Sequence, residues 1–500
     1  MPQRREQRER RRHRSDSHYH SSQHYDEKKG RNTLGKVIAV IQLLISVIFV
    51  GTLFNSGMIP TKYLAAGAIV LLLLFALTFG MQYIRNKIHI VGIVLSILIS
   101  AALAFGTYYF MNMHQAISNI GGAEYKTDNM IVVVKKEDSA ESILDAENYI
   151  FGVQTAADQT NNEKMITKLS TLIGQEPNVT EFSTVQEEAQ ALLDGRIEAA
   201  IYNEAFNSLI ADEIDGYEDQ VRILYQYGID TKLEKVDQSV TEPFNVYISG
   251  IDVYGPISTN SRSDVNIIAT VNPETRQVLL TTTPRDYYVT LPGVSGNQRD
   301  KLTHAGIYGV DVSMATLEQL YNTDINYYAR VNFTSLIEIV DTLGGIDVNS
   351  EYAFEAGGYS FQQGVNHLNG EQALAFSRER HSFASGDNQR GKNQEAVITA
   401  IINKMLTPSM LTRAMDIVKE LEDCVETNVS MDQLSKLIQM QLNSGGSWSI
   451  LTDNAIGTGD TNTCYSSGSQ MLYVMNPNEV SVSSISSKIN RILSGEKITQ

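Results

Sequence analysis

Three long runs of uncharged, mostly apolar residues stand near the start of the chain. They are Val37–Thr61, Tyr63–Ile84 and Ile88–Phe110, and each exceeds the roughly 20 residues that an α-helix needs to cross a bilayer. A cleaved signal peptide does not explain the pattern, because cleavage after the first run would leave two further spans. The pattern therefore predicts three transmembrane helices within residues 37–111.

After the membrane region, the pattern changes to short segments that alternate between β and α periodicity. Alternation of this kind over about 100 residues is typical of a small α/β domain, which we place at residues 112–240. The predicted strands are Met130–Lys135, Tyr149–Val153, Val179–Ser183 and Ala199–Tyr202, and the predicted helices are Ala140–Asn148, Asn161–Ile173 and Val185–Leu193.

One run in this accessory domain, LLDGRIEAAIYNEA at residues 192–205, resembles the substrate domain of periplasmic solute-binding proteins. Two interpretations stay open on this short match. The accessory domain either binds a ligand of its own or serves as a spacer or interaction module. We favour the second interpretation, because it does not require a ligand site in the accessory domain.

A β-hairpin is predicted at the start of the remaining part of the chain. Val265–Val271 and Gln277–Thr283 are rich in β-branched residues, and the intervening Asn272–Arg276 has turn chemistry. If the turn centres between Glu274 and Thr275, antiparallel pairing places Asp264 opposite Arg285. The hairpin would then bring charged residues together at its open end, either as a structural ion pair or as part of a site.

The rest of residues 241–500 continues the α/β pattern. A helix at Ser335–Leu343 ends at two glycines, where the chain can turn. Further helices are predicted at Met314–Tyr321, Glu395–Met405, Leu411–Val425, Met431–Leu442 and Val480–Leu493, and further strands at Ile325–Val331 and Ile346–Val348. The expected fold class is α/β throughout the part that follows the membrane helices.

The charge is distributed unevenly along the chain. Residues 1–36 carry 11 Lys and Arg against 5 Asp and Glu, whereas the whole chain has a formal net charge of −17. We expect residues 1–36 to be a disordered basic tail that stays in the cytoplasm with Arg85 and Lys87, so that residues 112–500 lie outside the cell. The acidic main body argues against nucleic acid as its partner.

Arginines nevertheless cluster in this acidic main body. Arg378 and Arg380 would share one face of an extended segment, with Glu379 on the other. Asp387, Arg390, Lys392 and Gln394 come just before or at the start of a predicted helix, where backbone N–H groups favour an anion. The candidate site residues are Arg262, Arg285, Lys301, Arg378, Arg380 and Arg390, with Asp252, Asp264, Asp286 and Asp387.

This combination of side chains predicts a metal-assisted pyrophosphate site. Arg is suited to bidentate contact with phosphate oxygens, and carboxylates in the same place suit a hard cation such as Mg²⁺. The alternative, surface ion pairs that share no ligand, is not eliminated by spacing alone.

Several motifs, taken together in order, resemble the catalytic domain of the LytR-CpsA-Psr family. They are GID at 250–252, RSD at 262–264, PRD at 284–286, LGGIDV at 343–348, LNGEQALAFSRER at 368–380 and GDNQR at 386–390. Three spans followed by an accessory domain resemble the layout of its streptococcal capsule-locus members. Just before the glutamine, where the family usually has a second arginine, this chain has Asn393. Either Lys392 or Arg390 would therefore have to contact the phosphate oxygen that this arginine would bind.

The resemblance implies an α/β/α catalytic domain with a central mixed sheet over residues 241–500. It also implies a phosphotransferase that moves a capsular or related glycopolymer from undecaprenyl pyrophosphate to peptidoglycan, with Mg²⁺ and a hydrophobic tunnel for the polyprenyl chain. By motif, Asp252 and Asp264 would hold the metal, and the phosphates would contact Arg262, Arg285, Arg378, Arg380, Arg390 and Gln394, with Lys301 as a further member of this set. Asp387 is a candidate general base.

Two other functions are considered beside the transferase. A transcriptional attenuator would have to reach DNA through the short basic tail, because the acidic main body is expected outside the cell. A non-catalytic scaffold that binds polyprenyl lipid and other capsule assembly proteins would use the same fold. Hydrolysis of the pyrophosphate, with water as the acceptor, would be a side reaction of a transferase.

The chain contains two cysteines, Cys424 and Cys464. An even pair in an extracellular domain favours a disulfide over free thiols. The sequence therefore predicts a disulfide between them.

Overall fold

The structure, a computed structural model, describes most of the chain. The described residues are 33–55, 61–84, 87–120, 125–155, 157–232, 236, 238–251, 260–384, 386–407, 409, 424–444 and 446–499. They form two compact units, one built on the N-terminal helices and the other holding almost all later residues. The accessory and catalytic segments belong to the same unit.

The first three helices are long and apolar enough to cross a membrane, as predicted. Helix α1 spans Thr33–Asn55, α2 spans Thr61–Met81 and α3 spans Ile88–Ile120. The prediction of a disordered tail over residues 1–36 is wrong at its C-terminal end, because residues 33–36 already belong to α1. Residues 1–32 lie outside the described part. The Thr78 hydroxyl donates to the Gln42 side-chain oxygen over 2.9 Å, so α1 and α2 share one buried polar contact.

The accessory segment forms a five-stranded sheet flanked by helices. Its strands are β1 (Tyr125–Lys135), β2 (Ile150–Gln154), β3 (Asn178–Phe182), β4 (Ala199–Asn203) and β5 (Val221–Lys232), in the order β3-β2-β4-β1-β5. The helices are α4 (Gln159–Ile173), α5 (Val185–Asp194), α6 (Asn207–Glu213) and α7 (Tyr217–Gln220). The α/β class predicted for this segment is confirmed.

One predicted helix in the accessory segment is wrong. Residues 140–148 form consecutive turns instead of an α-helix. The Asp145 carboxylate accepts hydrogen bonds from the backbone N–H groups of Glu141 and Ser142 and from the Ser142 hydroxyl. A side chain that captures nearby backbone donors in this way stabilises a turn at the expense of helical hydrogen bonds.

A six-stranded mixed sheet organises the second part. It contains β6 (Phe244–Ile251), β7 (Ser263–Asn272), β8 (Gln277–Thr282), β11 (Tyr327–Val331), β16 (Glu426–Thr427) and β17 (Ser449–Asn454). The order is β16-β11-β6-β7-β8-β17. Strand β6 is parallel to β11, β8 is parallel to β17, and the other neighbours are antiparallel.

Shorter elements connect this sheet to the helices around it. They are β9 (Tyr288–Val289), β10 (Asp300–Lys301), α8 (Leu302–Ala305), α9 (Val310–Tyr321), α10 (Phe333–Thr342), β12 (Ile346–Ser350), β13 (Phe354–Ala356), β14 (Tyr359–Phe361), β15 (Gly364–Leu368), α11 (Gly370–Arg378) and α12 (Asp387–Met405). Capping boxes at Asn332 and Asn369 explain where α10 and α11 begin.

Helices cover both faces of the central sheet, which confirms the α/β/α arrangement. Alternate residues of a strand point to opposite faces, so Ile268 of β7 packs with Leu317 of α9 on one face. Its neighbour Ile267 packs with Ile398 and Ile402 of α12 on the other face.

The C-terminal part contains strands that the sequence did not predict. The chain forms α13 (Met431–Ser444), then β17, β18 (Gly457–Thr463), β19 (Met471–Pro477) and finally α14 (Glu479–Leu493). Strands β18 and β19 pair as an antiparallel ribbon. The predicted helix at Leu411–Val425 is wrong at its end, since Glu426 follows directly in β16 and Cys424 is a turn; residues 410–423 lie outside the described part.

The predicted disulfide is wrong. Cys424 and Cys464 are both buried and are not joined by a disulfide. The Cys424 thiol donates to the Glu338 carboxylate over 2.5 Å, whereas burial raises the pKa of the Cys464 thiol to about 12. Each thiol is therefore accommodated in its own surroundings instead of bridging to the other.

We expect alkylation to detect two thiols in the wild-type protein. Full-length protein denatured without reductant should take up two equivalents of a maleimide, because neither sulfur is oxidised. Cys464→Ser serves as the matched control and should reduce the uptake to one. Uptake of label only after reduction would contradict the structure.

Candidate functional site

The hairpin has the predicted register. Strands β7 and β8 pair from Asn272 with Gln277 to Ile267 with Thr282, and continuation of this register places Asp264 beside Arg285. The Arg285 Nη1 lies 2.7 Å from the Asp264 Oδ2, and the Thr303 hydroxyl donates to the other oxygen of Asp264 over 3.2 Å. Asp264 is thus fixed by a cation and a hydroxyl at the end of a strand.

Lys301 reaches the same end of the sheet through Asp286. Its Nζ lies 2.5 Å from Asp286 Oδ1, and Arg285 Nε lies 3.8 Å from Asp286 Oδ2. Two backbone hydrogen bonds hold the segments together, since Thr303 N donates to Arg285 O over 2.8 Å and Leu302 N donates to Tyr287 O over 2.9 Å. The cations and carboxylates therefore alternate along this edge of the site.

Helix α12 supplies the opposite side of the site. It begins at Asp387 and not at Glu395 as predicted, so Asp387 and Arg390 lie one turn apart on the same helix. Their charged groups are 2.5 Å apart. Gly386 precedes the helix with a positive φ of 51°, a conformation that glycine adopts with little strain.

The charges of the hairpin and of α12 act on one another. Burial lowers the pKa of Arg285, but Asp264, Asp286 and Asp387 outweigh it and raise the pKa overall. The pKa of Arg390 is lowered, chiefly by burial and further by Arg285, against the opposing effects of Asp387 and Asp264. The charged groups of the two sides are thus close enough to shift one another's pKa values.

A cleft lies between the hairpin and α12. It is lined by Asp264, Asn266, Thr282, Thr283, Pro284, Arg285, Asp387, Asn388, Arg390, Gly391, Gln394, Asn454 and Ala455. Four of these are predicted site residues that the fold brings together from three separate motifs, and Gln394 is a fifth. Asn454 comes from β17, which the sequence did not reveal as a strand, so its place at the cleft was not foreseeable.

Glu395, which the sequence analysis did not select, lies behind the cleft. Its carboxyl group accepts hydrogen bonds from the Thr282 hydroxyl at 2.7 Å and the Asn454 amide at 3.0 Å. Burial raises the pKa of Glu395 to about 8. In the sequence, the only indication that Glu395 lies near the site is its position shortly after the GDNQR motif. Its surroundings become visible only when α12 packs against β8 and β17.

We expect Glu395 to make the folded protein less stable as the pH rises. The pKa is near 4.5 in the unfolded chain and about 8 in the fold, so its stabilising contribution is complete below pH 4.5 and is lost as the pH rises through 8. The loss per pH unit cannot exceed about 1.4 kcal/mol for one proton. Melting temperatures of the full-length protein in detergent between pH 5 and 8 should fall more steeply for wild type than for Glu395→Gln.

The exposed Glu274 in the hairpin turn provides the control for this prediction. Glu274→Gln should reproduce the wild-type pH profile. Parallel profiles for wild type and Glu395→Gln would show that the buried carboxyl group does not titrate in this range.

Arg378 and Arg380 do not line the cleft. The prediction that both lie in an extended segment is wrong for Arg378, which is the last residue of α11. The extended backbone begins only at Glu379. The Arg378 guanidinium lies 4.1 Å from the centre of the Phe333 ring, a cation–π contact. Arg380 donates to His381 Nε2 over 3.3 Å and is close enough to Arg390 to lower its pKa.

Arg262 faces the accessory segment instead of the cleft. One of its amino groups forms an ion pair with Asp212 of α6 and donates to Ser208 O over 2.9 Å. The predicted metal ligand Asp252 lies outside the described residues. The roles assigned to these two residues stay predictions.

The structure shows different surroundings for Lys392 and Arg390, the two residues that the resemblance left open for one phosphate oxygen. Lys392 points to Glu351, with its Nζ 3.2 Å from the carboxylate. Asn393 is buried and donates to Phe376 O over 3.3 Å. Arg390, which lines the cleft, is therefore better placed than Lys392 to meet a phosphate oxygen.

The donor set of the cleft is compatible with Mg²⁺. Among the described residues, no group of three or more His, Cys, Asp or Glu side chains forms a metal cage. Mg²⁺ commonly uses only one or two carboxylates, with phosphate oxygens and water completing its coordination. Asp264 supplies one such hard oxygen donor at the cleft.

Comparisons with known proteins match the part of the chain that contains the cleft residues. The model of the LytR_cpsA_psr family matches residues 212–482. The polyisoprenyl-teichoic acid–peptidoglycan teichoic acid transferase TagU of Enterococcus faecalis is 38% identical over 210 residues, which cover 41% of this chain and 68% of the relative. TagU of Bacillus licheniformis is 36% identical over 223 residues, covering 42% and 72%.

A solved structure gives a similar span. The crystal structure of B. subtilis TagU covers 52% of this chain and 100% of its own, with 32% identity and a TM-score of 0.41.

Proposed function

Because the chain belongs to the LytR_cpsA_psr family, we propose that it transfers an anionic glycopolymer from a polyprenyl-pyrophosphate lipid to peptidoglycan. The observation that carries the proposal is the cleft where the Arg285–Asp264 pair, 2.7 Å apart, faces Arg390 and Asp387. The names of the relatives support a transferase of this general class. A capsular polymer and an undecaprenyl carrier are our more specific assignments.

The proposed reaction exchanges the phosphoanhydride bond of the pyrophosphate for a phosphodiester bond. A hydroxyl group of peptidoglycan attacks the phosphorus that carries the polymer, and a new phosphodiester bond forms. The bond from that phosphorus to the bridging oxygen breaks, and the polyprenyl monophosphate leaves with the electron pair. The hydroxyl proton passes to a base, for which Asp387 is the candidate at the cleft.

The arginines would neutralise the charge that builds on the phosphates. Arg285 and Arg390 both line the cleft, and we propose that both contact one pyrophosphate. Lys301 would act from its position beside Asp286. Because these donors are already fixed by ion pairs in the folded protein, little reorganisation is needed when charge develops.

We further propose that Asp264, with Asp252, holds Mg²⁺ against the pyrophosphate. When bound, the ion would neutralise phosphate oxygens and stabilise the leaving group. The protein's own contribution is the orientation of Asp264, which Thr303 and Arg285 hold in place.

Apolar residues beside the cleft support a place for the lipid chain. Val246, Ile248 and Val265 are only partly buried on the sheet face that packs against Ile398 and Ile402 of α12. The resemblance implied a hydrophobic tunnel for the polyprenyl chain. A polyprenyl chain would cover these residues while its pyrophosphate stays in the charged cleft.

The orientation in the membrane follows from the same proposal. Three N-terminal helices could cross a membrane, and the basic tail favours a cytoplasmic N-terminus. The cleft would then lie outside the cell, beside lipid-linked polymer in the outer leaflet and beside peptidoglycan. Other capsule assembly proteins are proposed partners.

The test is transfer by full-length protein reconstituted in vesicles. Lipid-linked polymer labelled in its sugars is mixed with peptidoglycan and Mg²⁺, and label bound to peptidoglycan through a phosphodiester is measured. Label in peptidoglycan, with release of polyprenyl monophosphate, is the expected result. Release of free phosphorylated polymer alone would identify a hydrolase, and binding of the lipid without either product would identify a scaffold.

A further inference from the structure

The antiparallel ribbon of β18 and β19 lies against the segment that follows Arg285. The backbone N–H of Met475 in β19 donates to Asp286 O over 2.7 Å, and Met475 pairs in parallel with Tyr287. The Tyr288 hydroxyl donates to the backbone oxygen of the last residue of β18 over 2.7 Å. Two contacts therefore fix the ribbon beside the PRD motif.

Tyr473 of β19 presents an exposed aromatic ring at this place. It is 53% exposed and lies two residues before Met475, so both side chains are on one face of the ribbon. Partial burial, together with the charges of Asp286 and Asp387, raises the pKa of Tyr473. Because Asp387 lines the cleft, the Tyr473 hydroxyl is near enough to be affected by the charge of the cleft.

Gly459 of β18 leaves the space that the Tyr473 ring occupies. A Cβ atom at Gly459 would lie 2.9 Å from the Tyr473 hydroxyl oxygen and 3.0 Å from its Cε2. Gly459 is part of the regular strand β18 and has no positive φ, so its backbone does not itself require glycine. The ring, and not the backbone, is what a larger residue at this position would disturb.

The face of the ribbon that carries Tyr473 combines apolar and hydroxyl side chains. Thr461 pairs directly with Tyr473, and Thr463 pairs with Met471, so these four exposed side chains share one face. A sugar ring has the matching combination of C–H groups on its faces and hydroxyl groups on its edges. A polyprenyl chain would instead cover the threonine hydroxyls without offering them a hydrogen-bond partner.

The ribbon and the proposed lipid-binding residues approach the cleft from opposite faces of the central sheet. Met475 packs into the core on the face that carries α9, whereas Val246 and Ile248 lie on the face that carries α12. In phosphoryl transfer the attacking and leaving oxygens are roughly in line across the phosphorus. A lipid phosphate that leaves on the α12 side would therefore be attacked from the side of the ribbon.

We propose that the face of the ribbon around Tyr473 is the acceptor subsite, where Tyr473 and Thr461 hold a sugar of peptidoglycan with a hydroxyl group toward the phosphorus. This inference rests on the proposed function and adds the place where the acceptor binds. Tyrosine offers an apolar ring with a polar tip, and its role here is to bind the sugar and not to accept the proton.

Transfer kinetics of the full-length protein in vesicles test this subsite. Tyr473→Ala should raise the KM for a soluble disaccharide–peptide fragment of peptidoglycan roughly tenfold, and the KM for the lipid-linked polymer should not change. Tyr473→Phe keeps the ring and should raise the first KM less. A higher KM for the lipid-linked polymer alone would assign the ring to the donor and would overturn the inference.

Gly459→Ala displaces the ring without removing it. This variant should reproduce the higher KM for the fragment, because the new Cβ would occupy the space of the Tyr473 hydroxyl. In a Tyr473→Ala background, Gly459→Ala should have no further effect. Additive effects of the two changes would show that Gly459 does not act through the ring, which would contradict the inference.

Tyr352→Ala is the matched control. Tyr352 is also an exposed tyrosine, 48% exposed, and its hydroxyl donates to Glu351 over 3.0 Å. Both KM values of Tyr352→Ala should equal those of wild type, and all these variants should keep the wild-type melting temperature. An equal rise in the KM for the fragment would indicate a general effect of losing a surface tyrosine and would refute the subsite.

Binding of the fragment without the donor separates this inference from the proposed reaction. Saturation-transfer NMR should detect contact between the sugar protons of the fragment and wild type, and much weaker contact with Tyr473→Ala. If this difference is seen but wild type transfers no polymer, the proposed function fails while the sugar-binding face stands. If Tyr473→Ala binds the fragment and transfers polymer like wild type, the inference fails while the function stands.

Discussion

Arg285→Ala is expected to lower glycopolymer transfer by about 10²–10³, equivalent to about 3–4 kcal/mol of transition-state stabilisation. Arg285 is fixed by Asp264 at 2.7 Å and lies beside Asp286, so its positive charge is preorganised where the phosphate charge develops. The measurement is the initial rate of label transfer to peptidoglycan in vesicles.

Arg491→Ala is the matched control for Arg285→Ala. Arg491 lies in the C-terminal helix α14 and forms an exposed ion pair with Glu496, which follows this helix. Loss of the Arg491 side chain should leave transfer unchanged. Arg285→Lys should retain part of the rate, since it keeps the charge but not the planar fork. Wild-type transfer by Arg285→Ala would mean that the pair with Asp264 is only structural.

Asp264→Asn should abolish most Mg²⁺-dependent transfer, by about a hundredfold or more, while the lipid still binds. The amide keeps the shape that accepts the Thr303 hydroxyl, but it removes the charge needed for Mg²⁺ and for Arg285. Rates measured over a range of Mg²⁺ concentrations should show that the dependence on the metal is lost, and binding of labelled lipid should persist.

Asp347→Asn provides the comparison for Asp264→Asn, because Asp347 is an exposed carboxylate paired with His367 at 2.8 Å. Its Mg²⁺ dependence should match that of wild type. If Asp264→Asn retained both full transfer and the wild-type response to Mg²⁺, Asp264 would have no role with the metal.

The ion pairs of the site also decide how its variants affect folding. A cluster of arginines in an empty site would gain stability from the loss of one charge. In the fold, however, Arg285 and Arg390 each have a carboxylate partner. Arg285→Ala therefore leaves Asp264 without its cation, and we expect a modest loss of stability, which the melting temperature should show.

The features that the sequence predicted well are local. The apolar runs identified three helices long enough to cross a membrane. The turn at Asn272–Arg276 set the register of the hairpin, and this register brought Asp264 to Arg285. Each follows from residues that are near one another in the chain, where periodicity and turn chemistry act directly.

Features that depend on distant partners were not predictable in this way. Asn454 reaches the cleft because β17 lies beside β8, although nothing near it in the sequence indicates that strand. The pair of cysteines suggested a disulfide, whereas the fold gives Cys424 a carboxylate partner in α10. Composition indicates that a bond is possible, but only the distance between two sites decides whether it forms.

The sequence by itself thus determined the three helices that are long and apolar enough to cross a membrane, the α/β class, the hairpin and the kind of charge that gathers near its end. Tertiary structure decided which charges meet: Arg285 and Arg390 border one cleft, Arg262 turns to Asp212, and Arg378 rests on an aromatic ring. The physical reason is that an arginine's chemistry is the same in every motif. Its partner is set by which oppositely charged or aromatic group the packed elements bring within a few ångströms.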